Sequence, residues 1–157
     1  MTIGTDTMKQ SVLQLLTSAF IRVRIEAGED YARVHADEPF DAFGEAGLAS
    51  SIEFSESPDE HGRHTVKFEL ELPGTEAAPT PYVLDIAIVG LFTCSAGPEK
   101  AAKYVELNGP AVLYGSIREM VMLITSRGPF GALVLPTVHF VPDEAEAETA
   151  TQDPAGE

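Results

Sequence analysis

The side chains that could carry out chemistry are few in this sequence. His61 and His64 are the one closely spaced histidine pair, and a spacing of three can bring two imidazoles to one metal ion. A metal would need further ligands, and none is suitably spaced nearby. The pair also lies in the run SPDEHGRH, whose Pro, Asp and Gly are typical of a turn. We therefore interpret the pair as part of a solvated turn, and predict no metal or cofactor.

Candidate nucleophiles lack the surroundings that would activate them. Ser116 stands in the run YGSIR, which lacks the G-x-S-x-G pattern of a nucleophile elbow. Cys94 is the only cysteine, and no basic residue stands close enough to lower its pKa, so we interpret it as a buried structural thiol. Glu69 and Glu71 alternate with apolar residues, as on the solvated face of a strand. The sequence predicts no enzyme.

Four strands are predicted in the first part of the chain. The first ends at Gly28, the second spans 48–54, and the third spans 65–72, where apolar and polar residues alternate. The fourth, over 82–92, is apolar on both faces apart from Asp85. We expect such a strand to be covered on both sides, by a helix or by another subunit.

Beyond the strands the apolar spacing becomes helical. A short helix is predicted over 99–107, ended by the Asn-Gly pair that follows. Pro110 then fits the first turn of a second helix that extends to about Ser126. An extended apolar segment covers 133–141. This order predicts an α+β fold in which a four-stranded antiparallel sheet packs with a long helix.

Acidic residues outnumber basic ones by 25 to 10, for a formal net charge of −15. A net negative charge repels nucleic acid and anionic membranes, so it excludes both as electrostatic partners. The acids are concentrated in residues 26–60 and 143–157, and the stretch between these blocks is nearly neutral. We predict one domain over 11–141, a disordered N-terminus over 1–10 and a disordered acidic tail over 142–157.

Signals for export or membrane insertion are not found. The first ten residues lack the charged-then-apolar pattern of a signal peptide, and the apolar runs are too short to span a bilayer. These features predict a cytoplasmic location with no direct membrane insertion. The apolar faces exceed what one small sheet–helix pair readily hides, which fits self-association, binding of apolar partners, or simply a large core.

Four motifs follow one another between residues 90 and 140. They are GLFTCSAG at 90–97, LNGPAVLYGSIRE at 107–119, TSRGPF at 125–130 and LVLPTVHF at 133–140. In this order and spacing they resemble the SecB family of protein-export chaperones. That family has a G-[IL]-F strand end, a helix of the form L-[FY]-x-x-[AI]-R-E, an S-R-G-x-[FY] stop and an L-x-L-x-x-V-x-F segment.

The resemblance implies a SecB-like fold that assembles as a homotetramer, a dimer of dimers. It implies a chaperone that holds unfolded preproteins in apolar grooves without ATP and delivers them to the translocase ATPase, SecA. Some SecB-like proteins instead serve toxin–antitoxin systems and hold an aggregation-prone antitoxin. An adaptor that keeps the fold without client capture is a further alternative, and all three stay open at this stage.

Site residues also follow from the resemblance. Five residues fall in segments that line or cover the client groove, with ordinary core as the alternative: Phe92, Phe130, Leu133, Leu135 and Val138. Glu26, Val83 and Asp85 match the patch that docks to SecA, with solvated surface as the alternative. Arg22 stands where the family has an acid. Pro142 and the acidic tail stand where the family usually has a second helix.

Overall fold

The computed structural model describes residues 8–29, 31 and 39–141. These residues form four strands followed by one long helix, which confirms the predicted α+β fold. The predicted disordered N-terminus lies largely outside the described residues, since 1–7 are not among them. The predicted acidic tail, 142–157, lies outside them entirely.

The strands are β1 (Leu13–Ala27), β2 (Ala49–Phe54), β3 (His64–Leu72) and β4 (Tyr82–Cys94). They form one antiparallel sheet in the order β1-β4-β3-β2. The bounds predicted from the alternation of apolar residues agree with these to within two residues. Because β4 and β3 are central, β1 and β2 each have one backbone edge that no other described strand pairs with.

The inner face of the sheet, which is the face toward the helix, forms the centre of the core. Alternation in β3 directs its apolar side chains inward, and each is at most 2% exposed: Val66, Phe68, Leu70 and Leu72. β4 adds its own inward-facing row: Leu84, Ile86, Ile88 and Phe92. The polar residues of β3 face the opposite side, as the period of two requires.

The outer face of β4 is only partly covered by the described residues, so the expected cover by another subunit stays a prediction for this face. Ala87 is buried there, but Val83, Val89 and Leu91 are half-buried. The helix lies on the other face. The apolar pattern of a strand indicates that covering both faces is favourable, and does not specify that the same chain supplies both covers.

β1 is an edge strand interrupted by two β-bulges. Its register with β4 shifts on passing Leu16 and again on passing Ile21. The side chains of Leu16 and Ile21 are 52% and 57% exposed. Because a bulge changes the direction of its extra residue, these two apolar side chains are presented to the surface.

One continuous helix, α1 (Pro98–Thr125), replaces the two predicted helices. The break expected at the Asn-Gly pair is wrong, and Pro110 lies inside the helix. Proline in a helix interior lacks the N–H that would bond to residue 106, at a cost of about 3 kcal/mol. Packing offsets this cost because Gly109 and Pro110 are both buried, and a Cβ atom on Gly109 would lie 3.3 Å from Val66 Cγ2.

α1 packs on the sheet through one row of residues. Every fourth residue from 101 to 125 is buried: Ala101, Val105, Gly109, Leu113, Ile117, Val121 and Thr125. Such a row lies along one side of a helix, so it forms a single ridge against the sheet. Val112 and Ile124 are apolar but lie beside this row, and they are 42% and 41% exposed. No helix within the described residues has the length and apolar content needed to cross a membrane.

Candidate functional site

The segment that follows α1, residues 130–141, packs against the inner face of the sheet and is here called the strap. Residues 131–141 form no helix or strand, yet Leu133 and Leu135 are only 3% and 1% exposed. Toward its end the strap comes to the surface, where Val138 is 37% exposed. The strap therefore completes the layer that α1 begins.

Side chains, rather than a partner strand, hold the start of the strap. The Tyr82 hydroxyl accepts the backbone N–H of Phe130 at 3.1 Å and donates to the carbonyl oxygen of Gly131 at 2.8 Å. The Thr125 hydroxyl accepts the N–H of Leu133 at 2.8 Å. β4 and the last turn of α1 therefore fix where the strap begins.

Two residues of α1 hold the middle of the strap. Tyr114 donates its hydroxyl hydrogen to the carbonyl oxygen of Pro136 at 2.5 Å, and Arg118 Nε donates to that of Leu135 at 3.1 Å. A spacing of four brings both side chains to one side of the helix. Burial raises the pKa of the Tyr114 hydroxyl, so it keeps the proton that it donates.

Aromatic rings gather at both ends of the strap. At its start, Phe130 packs edge-to-face on Tyr31 and Tyr82, with ring centroids 5.0 and 5.9 Å apart. At its end, Phe140 packs edge-to-face on Phe68 and Tyr114, at 5.5 and 5.9 Å. These are favoured geometries for aromatic pairs. The strap thus connects two aromatic clusters.

An apolar cavity of about 280 Å³ lies between the end of the strap and the edge strand β2. Buried side chains of Phe68, Leu70 and Tyr114 form its floor, and its two walls are residues 48–50 and 138–140. Ser50 lies opposite Leu70 on the inner face and lines the cavity, and its short side chain leaves the space beside it unfilled. The cavity therefore combines an apolar floor with a strand edge that is open within the described part of the chain.

This combination is suited to binding an extended peptide rather than to catalysis. An unpaired edge can form backbone hydrogen bonds with an added strand, and the adjoining cavity can take alternate side chains of that strand. Among the lining residues, His139 is the only one with a basic side chain, and it is exposed in the strap. No second acid or base lines the cavity beside it except the Tyr114 hydroxyl, which is already bonded to Pro136.

The five groove residues implied by the resemblance lie in three different places. Val138 lines the cavity. Phe130 lies in the aromatic cluster at the opposite end of the strap, where it is half-buried. Phe92, Leu133 and Leu135 are core residues, between 0% and 3% exposed, and none of them lines the cavity.

Sequence reasoning missed Phe140, Phe68 and Ser50. Phe140 carries a signal, because it is the last residue of the motif at 133–140 and is apolar in a segment already singled out. Phe68 belongs to the predicted third strand, and its place beneath the cavity depends on where the strap ends. Ser50 carries no signal at all, because its effect depends on its register opposite Leu70.

The structure brings Glu26, Val83 and Asp85 together on the outer face of the sheet. Glu26 lies directly opposite Val83, and Asp85 lies opposite Arg24. Both acids are paired with arginines: Arg24 Nη2 is 3.0 Å from Glu26 Oε2, and Arg22 Nε is 2.7 Å from Asp85 Oδ1. The hydrogen bond from Arg24 holds the pKa of Glu26 below its usual range. The patch is therefore of mixed charge rather than acidic.

The histidine pair is divided between a turn and the core. His61 is exposed in the turn, whereas His64 begins β3 and is 7% exposed, so the interpretation as a solvated turn is wrong for His64. Asp59 builds the turn by accepting the N–H groups of His61 and Arg63. Within the described residues no group of three potential metal ligands occurs. Cys94, at the end of β4, is half-buried rather than fully buried.

No protein-family model matches the chain, and no curated protein sequence matches it. Solved structures do match. The SecB-like chaperone of Mycobacterium tuberculosis, in complex with a ChAD peptide from the HigA1 antitoxin, matches with a TM-score of 0.51 and 21% identity, over 80% of this chain and 90% of that one. A protein of unknown function from Streptococcus agalactiae matches with a TM-score of 0.47 and 11% identity, over 80% and 97%. The first likeness shows that this chain has the fold of a SecB-like chaperone, as the four motifs predict.

Proposed function

We propose that this chain is an ATP-independent holdase chaperone that binds extended segments of unfolded client proteins. The observation that carries the proposal is the apolar cavity beside the edge of β2, with which no other described strand pairs. Client side chains would enter this cavity, between residues 48–50 and the end of the strap, and β2 would pair with the client backbone. Burying one large apolar side chain contributes about 1.5–3 kcal/mol, so several such contacts can support binding after the client's ordering cost.

Binding of this kind recognises properties that unfolded chains share. Backbone groups are present in every client, and apolar side chains are exposed in any chain that has not folded. No catalytic residue, nucleotide or other cofactor is needed. The net charge of −15 is compatible with this role, because it keeps a protein with exposed apolar surface soluble and attracts basic segments.

Two of the five groove residues implied by the resemblance would contact clients directly in this proposal. Val138 is exposed in the cavity wall, and Phe130 is half-buried at the other end of the strap. Phe92, Leu133 and Leu135 would act from the core, by holding the strap against the sheet. A client segment that follows the strap from one aromatic cluster to the other would contact both Phe130 and Val138.

Two kinds of client fit the groove. The SecB-like chaperone of M. tuberculosis is solved with a peptide from an antitoxin, and an antitoxin segment is the client that we favour here. The alternative client is an unfolded preprotein delivered to SecA for export. The proposed location for either role is the cytoplasm.

Delivery to SecA would use the outer-face patch of Glu26, Val83 and Asp85. Arg22 and Arg24 already pair with the two acids, so a basic partner would have to displace them. Titration of purified SecA against the wild type and a Glu26→Gln/Asp85→Asn variant separates the two roles. Export delivery predicts wild-type binding that the variant loses, whereas the antitoxin role predicts binding to neither.

The proposal includes assembly into a homotetramer, a dimer of dimers. Its support is the apolar surface that the described chain leaves uncovered on β1 and α1. Seven large apolar side chains there are between 41% and 66% exposed: Leu16, Ile21, Val23, Val112, Met122, Leu123 and Ile124. A second copy that covers β1 would also pair the open edge of that strand.

The test of the holdase function uses two adjacent serines of β2. Ser50 lies on the inner face and lines the cavity, whereas Ser51 lies on the outer face. Ser50→Tyr would fill the cavity, and tyrosine is well accepted in strands. Ser51→Tyr is the matched control, and costs only an exposed hydrogen bond to Glu69.

Both variants and the wild type are mixed without ATP with a chemically denatured protein that aggregates on dilution, and light scattering is followed. We expect the wild type and Ser51→Tyr to suppress aggregation at amounts comparable to the client, and Ser50→Tyr to suppress it several-fold less. Equal suppression by the two variants would contradict the assigned site. No suppression by the wild type would contradict the holdase function itself.

A further inference from the structure

The strap is attached in two different ways along its length. Up to Pro136 it is held by hydrogen bonds from side chains of β4 and α1. Over residues 137–141 no hydrogen bond joins the strap to another described residue, so apolar packing alone holds this end. The end of the strap can therefore detach while its anchored part stays in place.

Phe140 makes the packing contacts of this loosely held end. Its ring stands perpendicular to that of Phe68 and meets Tyr114 at 74°. These two aromatic residues belong to the floor of the cavity. Phe140 is itself only half-buried, and the next residue, Val141, is 61% exposed. An aromatic site at the cavity is thus occupied by a side chain of the same polypeptide.

We infer that Phe140 is a displaceable occupant of the site formed by Phe68 and Tyr114, and that a client binds by inserting an aromatic side chain in its place. The ligand class is an extended peptide with an aromatic residue among apolar neighbours. The inference rests on the proposed holdase function and adds that clients compete with the Phe140 side chain for this site. The apparent dissociation constant is then the intrinsic one divided by the fraction of molecules whose site is vacant.

A fixed wall is the alternative role for Phe140, and the two roles predict opposite effects of removing the ring. A competitor lowers client affinity, so Phe140→Ala strengthens binding. A wall contributes contacts, so the same change weakens binding. Val141→Ala is the matched control, because Val141 is adjacent, apolar and exposed and makes none of the ring contacts.

The client probe is fluorescein-labelled ribonuclease A, a protein without tryptophan. It is reduced and carboxymethylated so that it stays unfolded. Fluorescence anisotropy gives its dissociation constant for each variant. We expect Phe140→Ala to lower the dissociation constant by about three-fold or more, because the site is then vacant in every molecule. Val141→Ala is expected to leave it unchanged. A higher dissociation constant for Phe140→Ala overturns the inference.

A second measurement uses the absence of tryptophan from this chain. In Phe140→Trp the new indole is the only one present, so its emission reports on the occupied site. With unlabelled client, displacement predicts a shift to longer wavelength as the indole enters water. Unchanged emission, or a shift to shorter wavelength, overturns the inference while the holdase function stands. Failure of the wild type and all variants to bind the client contradicts the proposed function and the inference with it.

Discussion

The hydroxyl of Tyr114, in the middle of α1, donates to the carbonyl oxygen of Pro136 at 2.5 Å. This bond joins the helix to the point where the strap changes from anchored to loosely held. The ring of the same tyrosine forms part of the cavity floor and packs on Phe140. One side chain therefore fixes the anchored part of the strap and also contributes to the surface that we assign to clients.

Replacing Tyr114 by Phe removes the donor and keeps the ring. We expect the free energy of unfolding to fall by about 0.5–1.5 kcal/mol, or more if the Pro136 carbonyl stays unpaired and buried. The ring contacts with Phe68 and Phe140 are preserved, so the cavity should keep its floor. Urea denaturation followed by circular dichroism measures the difference from the wild type. If the wild type and Tyr114→Phe have the same free energy of unfolding, the bond to Pro136 contributes nothing to stability, which contradicts this account.

The same pair of proteins gives a pH test. Burial raises the pKa of Tyr114 in the folded state, whereas a tyrosine in the unfolded chain ionises near pH 10. The stabilisation is therefore fully present below about pH 10 and is lost as the pH rises toward the folded-state pKa. Denaturation of the wild type and Tyr114→Phe at several pH values should give a constant difference from pH 7 to 9 that shrinks above 10. A difference that grows above pH 10 has the wrong sign for this account.

Gly90, in β4, lies against Leu113 of α1. A Cβ atom on Gly90 would lie 2.7 Å from Leu113 Cδ2 and 2.8 Å from Phe92 Cε2. We expect Gly90→Ala to lower the free energy of unfolding by about 1–3 kcal/mol, because overpacking displaces both side chains. Gly115→Ala is the control, since Gly115 is exposed in α1 with nothing within 4 Å of a new Cβ atom, and alanine is the better helix former there. Chemical denaturation should show a lower free energy of unfolding than the wild type for Gly90→Ala and a higher one for Gly115→Ala. Changes of the same sign in both variants would contradict the packing described.

The strands could be predicted because their burial follows a local pattern. In β3 the alternation of Val66 and Phe68 with polar neighbours is enough to assign both the strand and its inner face. Pro110 could not be placed in the same way, because helix propensity argues for a break there. Only the burial of the adjacent Gly109 against Val66 explains why the helix continues through it.

The candidate site was less predictable than the fold. Motifs pointed to the strap, and Val138 and Phe130 are partly accessible there, but Leu133 and Leu135 face the core. An extended apolar segment does not reveal which of its side chains turn inward, because no regular period governs it. The cavity depends on Ser50, whose position opposite Leu70 exists only once β2 and β3 have paired.

The exposed apolar surface of β1 predicts self-association. Ile21→Glu places a charge at a side chain that is 57% exposed on this edge strand. If a second copy covers β1, burying that charge is costly, and we expect a smaller species in size-exclusion chromatography with light scattering. Val134→Glu is the control, since Val134 has nearly the same exposure, 56%, but lies on the strap. A wild type that is monomeric at micromolar concentration would contradict the predicted assembly.

The most direct measurement of the central claim locates a bound client on the surface. Ser50 and Ser51 are replaced in turn by the photo-crosslinking residue benzoylphenylalanine, and each protein is irradiated with an unfolded client. The account predicts a strong client adduct from position 50, which lines the cavity, and little or none from position 51, which faces the other side of the same strand. Equal adducts from both positions, or a stronger one from 51, would show that clients do not bind in this groove.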